Sequence, residues 1–338
     1  MHQRSRRFGN SGRGRRLLTG ARSGTRGQLE TRAIGSLSVS VVGIGCNNFG
    51  ARIDAARSTE VVDAALDAGI NFFDTADMYS DGRSEEFLGK ALGARRAEVI
   101  IASKFGNAIP GKVGGGRPEY VKQALDGSLK RLGTDYIDLY QQHIPDPTVP
   151  VAETLGALDD AVKAGKVREV GCSNFSPEQL REAASAASAT PGAARFVSVQ
   201  NEYSLLHRES EEGVPAECER LDMAFLPFFP LKSGLLTGKY RKGQPIPSGT
   251  RVAKVDRYRS LLTEDNLDRI EGLIAYAQGQ KRTLLELAVS WLLAHRRVAS
   301  VIAGATSASQ VRANAQAADW TLSETDLEQI DDVLRTAV

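Results

Sequence analysis

Past residue 29, short apolar runs alternate with longer stretches whose apolar positions recur at helical spacing. VVGIG at 41–45, NFFDTA at 71–76, VIIASK at 99–104 and IDLYQQH at 137–143 read as strands. So do VREVGCSN at 167–174, FVSVQNE at 196–202, AFLPFFP at 224–230 and SVIAGA at 300–305. The spacing predicts helices over 58–68, 84–92, 118–132 and 151–164, with Pro118 as an early helical residue and Gly165 as a stop. It predicts further helices over 176 to about 187, 209–220, 283–295 and 307–317. Residues 323–336 add a C-terminal helix.

Strands that alternate with helices imply a parallel sheet, and eight such units favour closure into a (β/α)₈ TIM barrel over an open sheet. LETRAIGSLSVS alternates around Gly35-Ser36, the pattern of a small N-terminal hairpin forming the barrel floor. Two connections are long, 105–117 and 231–262, and long loops in compact domains usually carry function.

Composition divides the chain in two. Eight of the 43 basic residues fall within residues 1–28, which hold no acid. The other 35 face all 41 acidic residues, so 29–338 is a mildly acidic barrel domain, ill-suited to bind nucleic acid. Residues 1–28 read as a disordered, Arg-rich tail, because Gly, Ser and Arg cannot bury enough surface to order themselves. Arg6-Arg7 is followed by no apolar export segment, and no stretch has the length of a membrane span. Three scattered cysteines, Cys46, Cys172 and Cys218, form neither a disulfide framework nor a metal cluster, which points to a reducing cytoplasm and no bound metal.

In such a barrel the chemistry lies where the strands end. The polar residues expected there are Asp74 and Tyr79 after the second strand, Lys104 on the third, His143 on the fourth, Ser173 and Asn174 on the fifth, and Gln200 with Asn201 on the sixth. Each alone has a bland reading: a solvated lysine, a packing histidine, a capping aspartate. Together they suit carbonyl reduction, which needs a hydride and a proton. A tyrosine beside a cation could give the proton, with Lys104 lowering its pKa, Asp74 orienting Lys104 and His143 donating to the carbonyl oxygen.

GINFFDTADMYSDGRSEEFLGKAL at 69–92, IIASKFG at 100–106, SLKRLGTDYIDLYQQHIPD at 128–146, VGCSNFS at 170–176, VQNEYS at 199–204 and PLKSGLLTGKY at 230–240 resemble the aldo-keto reductases, in family order. The resemblance implies a catalytic tetrad of Asp74, Tyr79, Lys104 and His143, and NADPH as cofactor, with NADH as the alternative coenzyme. It implies that Ser173, Asn174 and Gln200 hydrogen-bond the nicotinamide carboxamide, that Phe228 stacks under the ring and that Gly45 also meets the cofactor. Leu231, Ser233, Gly234, Leu236 and Lys239 would cradle the pyrophosphate, with Arg251 folded over the cofactor. Gly304, Thr306, Gln310 and Asn314 would hold the adenosine ribose. Gln310 and Ala313 stand where many members carry an arginine and an acid. Asn47, Phe49 and Phe105 are expected to line a pocket for a small carbonyl substrate. A second reading is a cofactor-binding regulatory subunit, because GLLTGKY also resembles the potassium-channel β-subunit branch.

Overall fold

The computed structural model describes residues 29–107 and 114–336. The tail expected over 1–28 lies outside the described residues. The chain opens with an antiparallel hairpin, β1 (Thr31–Ile34) and β2 (Leu37–Ser40). It continues through β3 (Val42–Gly45), α1 (Ala55–Asp67), β4 (Phe72–Asp74), α2 (Arg83–Leu92), β5 (Ile100–Phe105), α3 (Pro118–Leu132), β6 (Ile137–Gln142), α4 (Val151–Lys163), β7 (Val167–Ser173), α5 (Pro177–Ser188), β8 (Phe196–Glu202), α6 (Val214–Leu221) and β9 (Ala224–Phe228). Two one-turn helices follow, α7 (Arg251–Lys254) and α8 (Asp256–Arg259), then α9 (Glu264–Gly279), α10 (Leu284–Ala294), β10 (Val301–Gly304), α11 (Ala308–Gln316) and α12 (Glu324–Thr336).

Strands β3 to β10 form one parallel sheet in the order β10-β3-β4-β5-β6-β7-β8-β9. The Phe225 amide donates to Arg297 O (2.7 Å) and the Ala299 amide to Phe225 O (3.0 Å). These bonds bring β9 against the approach to β10 and nearly close the barrel. The expected barrel, hairpin floor and C-terminal helix are all present.

Side chains fill the lumen. Phe72, Ile100, Ala102, Leu139, Val197, Leu226 and Ile302 meet Ile34, Leu37 and Val39 of the hairpin in one apolar cluster. The hairpin is thus a plug in the N-terminal mouth. Its turn takes Gly35 at φ +55°, and the Ser36 amide donates to Glu169 Oε1 on β7 (2.7 Å). Arg32 reaches the opposite rim, donating to Val298 O (2.6 Å) and Leu293 O (3.0 Å). The larger core lies between barrel and helices.

Local signals explain the helix ends. Ser176 with Gln179, and Thr283 with Glu286, form capping boxes at the starts of α5 and α10. Pro118 opens α3, and Gly133 ends it at φ +65°. Two expectations are corrected. Residues 231–262 are not a plain loop, because a 3₁₀ segment (Lys232–Thr237) and two short helices shape them. Helix α9 was not anticipated, although Ile270, Leu273, Ile274 and Ala277 give it a buried stripe.

Helix α2 crosses the end of α3 so closely that a Cβ on Gly89 would lie 2.2 Å from Leu132 O. Alanine for glycine in a helix ordinarily stabilises by about 0.5–1 kcal/mol. At Gly89 the clash should reverse the sign, and Gly89→Ala should destabilise by about 1–3 kcal/mol. Urea unfolding checks this, and a raised midpoint would contradict the packing.

Candidate active site

The alternation of side chains across a parallel barrel sets the site. On β4, β5 and β6 the residues Phe72, Ala102 and Leu139 point into the lumen. Two positions further on, one pleat higher, come Asp74, Lys104 and Gln141, all buried. The apolar layer is therefore the floor of a polar one. Lys104 Nζ donates to Asp74 Oδ2 (2.6 Å), to Thr75 O (3.0 Å) and to Tyr79 Oη (3.3 Å). Asp74 Oδ1 accepts from Gln200 Nε2 (2.9 Å) and Gln141 Nε2 (3.4 Å).

Tyr79 lies beyond β4, where the chain turns sharply into α2. Ser80 and Asp81 take left-handed φ values of 53° and 56°, and Gly82 follows at 87°. The Ser80 hydroxyl donates to Phe49 O (3.0 Å), which pins the turn. The half-buried Tyr79 ring meets His143 edge-on, with centroids 5.9 Å apart. His143 follows β6, and its amide donates to Phe105 O (2.7 Å). Asn174, at φ +62°, donates from Nδ2 to His143 O (2.9 Å) and Ser173 Oγ (3.1 Å). The four residues expected to act together are thus brought together.

Electrostatics assign their states. Burial works against charge on Lys104, but Asp74 and Tyr79 outweigh it and hold the ammonium above its ordinary value. Burial, then Lys104, pushes the His143 imidazole down to about 3, so it is neutral at physiological pH. For Tyr79 the expectation needs correction. Burial raises the phenol, and Lys104 pulls against that rise without overcoming it. Tyr79 therefore keeps its proton at neutral pH, with a cation placed to stabilise the phenolate once the proton leaves.

A bulge aims Gln200. Gly171 of β7 faces Val197 and Ser198 together, because the register steps from Val170↔Phe196 to Cys172↔Val199. Val197 points into the lumen and Val199 outward, so the extra residue turns Gln200 inward onto Asp74. A Cβ on Gly171 would lie 2.5 Å from Ser198 Oγ and 3.2 Å from Ser198 O, so a larger residue there would require Ser198 to shift.

The expected cofactor residues line the same face. Ser173 donates to Gln200 O (2.7 Å), and Gly45 and Gly304 pair at the ends of β3 and β10. Phe228 ends β9, half-buried, with its ring edge-on to Phe229 (5.4 Å). From Leu231 the chain turns through left-handed Lys232, Ser233 and Gly234. Lys232 donates to Glu202 Oε1 (2.6 Å) and ties this turn to β8. Leu236 is fully buried, backbone and side chain alike, and Phe49 and Phe105 are likewise core residues rather than pocket lining. Gln310 Oε1 accepts from the Thr306 amide (2.8 Å) and hydroxyl (3.1 Å), and Asn314 is buried on α11. Asn48, absent from the expected set, accepts from Arg251 Nη2 (2.8 Å) and donates to Ala305 O (3.3 Å).

Desolvation, then Arg52 and Arg251, holds Lys239 below its ordinary range, and burial does the same to Arg251. Among the described residues no carboxylate pairs with Lys239, Arg251 or Arg52, so the site offers concentrated positive charge to a polyanion.

The model of the aldo/keto reductase family matches residues 41–335. The chain belongs to that family. This aldo/keto reductase is 36% identical over 282 residues to a probable voltage-gated potassium channel subunit beta of Oryza sativa, covering 80% of this chain and 84% of the relative. It is 36% identical over 324 residues to the L-glyceraldehyde 3-phosphate reductase of Escherichia coli, covering 90% and 92%. The holo form of an aldo-keto reductase from Bacillus halodurans superposes with a TM-score of 0.74 at 33% identity, over 90% of this chain and 96% of that one. The protein is an NAD(P)H-dependent oxidoreductase built on the family's barrel.

Because His143 is neutral down to about pH 3, its titration should leave no bend in kcat/KM for carbonyl reduction between about pH 5 and 8. A bend in that window that His143→Gln removes would contradict the imidazole's placement.

Proposed function

We propose that this reductase converts an aldehyde or ketone to an alcohol in the cytoplasm, using NADPH, with Tyr79 as the proton donor. The observation that carries the reading is the buried chain from Asp74 through Lys104 to Tyr79, at 2.6 and 3.3 Å, with His143 beside it.

A bound nicotinamide supplies the hydride. The protein supplies the rest. Tyr79 releases its phenolic proton to the carbonyl oxygen, and Lys104 stabilises the phenolate left behind. Asp74 keeps Lys104 charged and aimed. Among the described residues His143 Nδ1 is buried without a partner, and a bare lone pair there costs less than a bare N–H. The imidazole proton is therefore assigned to Nε2, where it can donate to the carbonyl oxygen. Ser173, Asn174 and Gln200 orient the carboxamide. Asn174 Oδ1 and Gln200 Oε1 accept no hydrogen bond among the described residues and offer acceptors for its amide. Leu231, Ser233, Gly234 and Lys239 hold the pyrophosphate, and Gly304, Thr306 and Asn314 the adenosine end.

NADPH consumption over aldehydes, ketones and sugars tests the reading, with phosphorylated short aldehydes first because one relative is named for such a substrate. Tyr79→Phe should lose roughly 10²–10⁴-fold in kcat/KM while NADPH affinity holds within about twofold. Full activity in that variant would remove Tyr79 from the mechanism. Tight NADPH binding with no turnover of any carbonyl would favour a regulatory subunit.

A further inference from the structure

We propose that the cavity between α9, α12 and the segment after β8 binds a monocarboxylate with an apolar body, held by Arg269, at a site separate from the tetrad.

The cavity measures about 390 Å³, a volume suited to a small ligand. Leu205 and Leu206, from the chain beyond β8, and Leu334, from α12, give it an apolar lining. Arg208, Arg269 and Asp331 bring charge to the same walls. None of these residues hydrogen-bonds Asp74, Tyr79, Lys104 or His143.

Most of the charge around the cavity is already matched. Arg208 donates to Glu211 Oε1 (2.8 Å) and Asp331 Oδ1 (2.5 Å), and its guanidinium stands 5.2 Å from the centroid of the Trp291 ring. Arg335, which also lines the cavity, pairs with Asp332 and is largely exposed to water. His207 lies 3.8 Å from Glu209 and 4.0 Å from Glu202. Arg269 is the exception. It makes no hydrogen bond and no ion pair among the described residues, and its Nε is buried without an acceptor.

The neighbouring acids of α9 are engaged elsewhere. Asp268 pairs with Lys242, and Glu271 with Arg241 (2.7 Å). A desolvated guanidinium donor without an acceptor weakens the fold, and an anion in the cavity would supply what is missing. One guanidinium without a counter-charge balances one negative charge. A carboxylate matches its planar fork with two parallel hydrogen bonds. A phosphate dianion would bring a second charge towards Asp331, which lines the same cavity. The three leucines would take the apolar body of the ligand, since stabilisation grows with the apolar area removed from water.

Calorimetric titration of the purified full chain with octanoate tests the site. Wild type should bind one octanoate per chain. Octanol keeps the alkyl chain without the charge and should bind at least about tenfold more weakly, and octyl phosphate should also bind more weakly than octanoate. Arg269→Met should weaken octanoate by roughly tenfold or more. Tyr79→Phe and His143→Gln should leave octanoate affinity within about twofold, which separates this cavity from the tetrad. Urea unfolding gives an independent readout. Without ligand, Arg269→Met should keep or raise the midpoint, because it removes an unpartnered buried donor, whereas loss of a merely structural arginine would lower it. Octanoate should raise the midpoint of wild type and not that of Arg269→Met. No octanoate binding to wild type would overturn the proposal, as would equal binding of octanol or octyl phosphate. So would octanoate affinity that survives Arg269→Met or is lost in the tetrad variants. A lowered midpoint in ligand-free Arg269→Met would assign the arginine to the fold and overturn it as well.

Discussion

An ammonium group fully enclosed in the mouth of a barrel is the constraint on which the rest of the site depends. Lys104 is 0% exposed, and a charge so placed is tolerable only if every donor finds an acceptor. The barrel meets this demand from several strands at once. Asp74 of β4 takes the first donor, Thr75 O the second and Tyr79 the third, while Gln141 of β6 and Gln200 of β8 hold Asp74 from the other side. Removing one partner from such a buried pair typically costs about 3–5 kcal/mol. The same network that makes the charge bearable sets a cation against the Tyr79 hydroxyl. Structure and chemistry are served by one set of bonds.

Much of this is legible in the sequence because a parallel barrel converts position into place. Asp74, Lys104 and His143 each stand at the end of an apolar run, and a strand end is where a (β/α)₈ barrel collects its polar side chains. The capping boxes at Ser176 and Thr283 and the stop at Gly133 are equally local. What escapes is what depends on contacts between distant segments. The bulge at Val197–Ser198 decides which way Gln200 points, and it is set by the space above Gly171 on a neighbouring strand. The phenol of Tyr79 titrates upward rather than downward because burial outweighs the cation, and burial is a property of the folded surroundings. Phe49 and Phe105 have the composition of pocket walls, but the fold consumes them in its core. Helix α9 did carry a readable stripe, with Thr263 as its cap, and was hidden by its place at the end of a long irregular connection.

The division of labour across the mouth follows the same physics. Asp74, Lys104, Tyr79 and His143 stand on strands or just past them, held by buried hydrogen bonds and an edge-on ring contact. Groups suited to a phosphate stand on turns and one-turn helices, where a few left-handed residues suffice to aim them. The first set tolerates little variation without loss of a buried partner. The second can change charge and loop length while the barrel stays as it is.

The hairpin plug also gives the molecule a polarity. Glu30 O accepts from the Val41 amide, so the chain enters the described fold beside the first residue of the barrel wall, at the pole opposite the tetrad. A label, tether or surface linkage attached at Leu29 would therefore stand at the hairpin end of the barrel, away from Asp74, Tyr79, Lys104 and His143. It would leave the open end facing solution, an orientation suited to immobilising this reductase without obstructing its mouth.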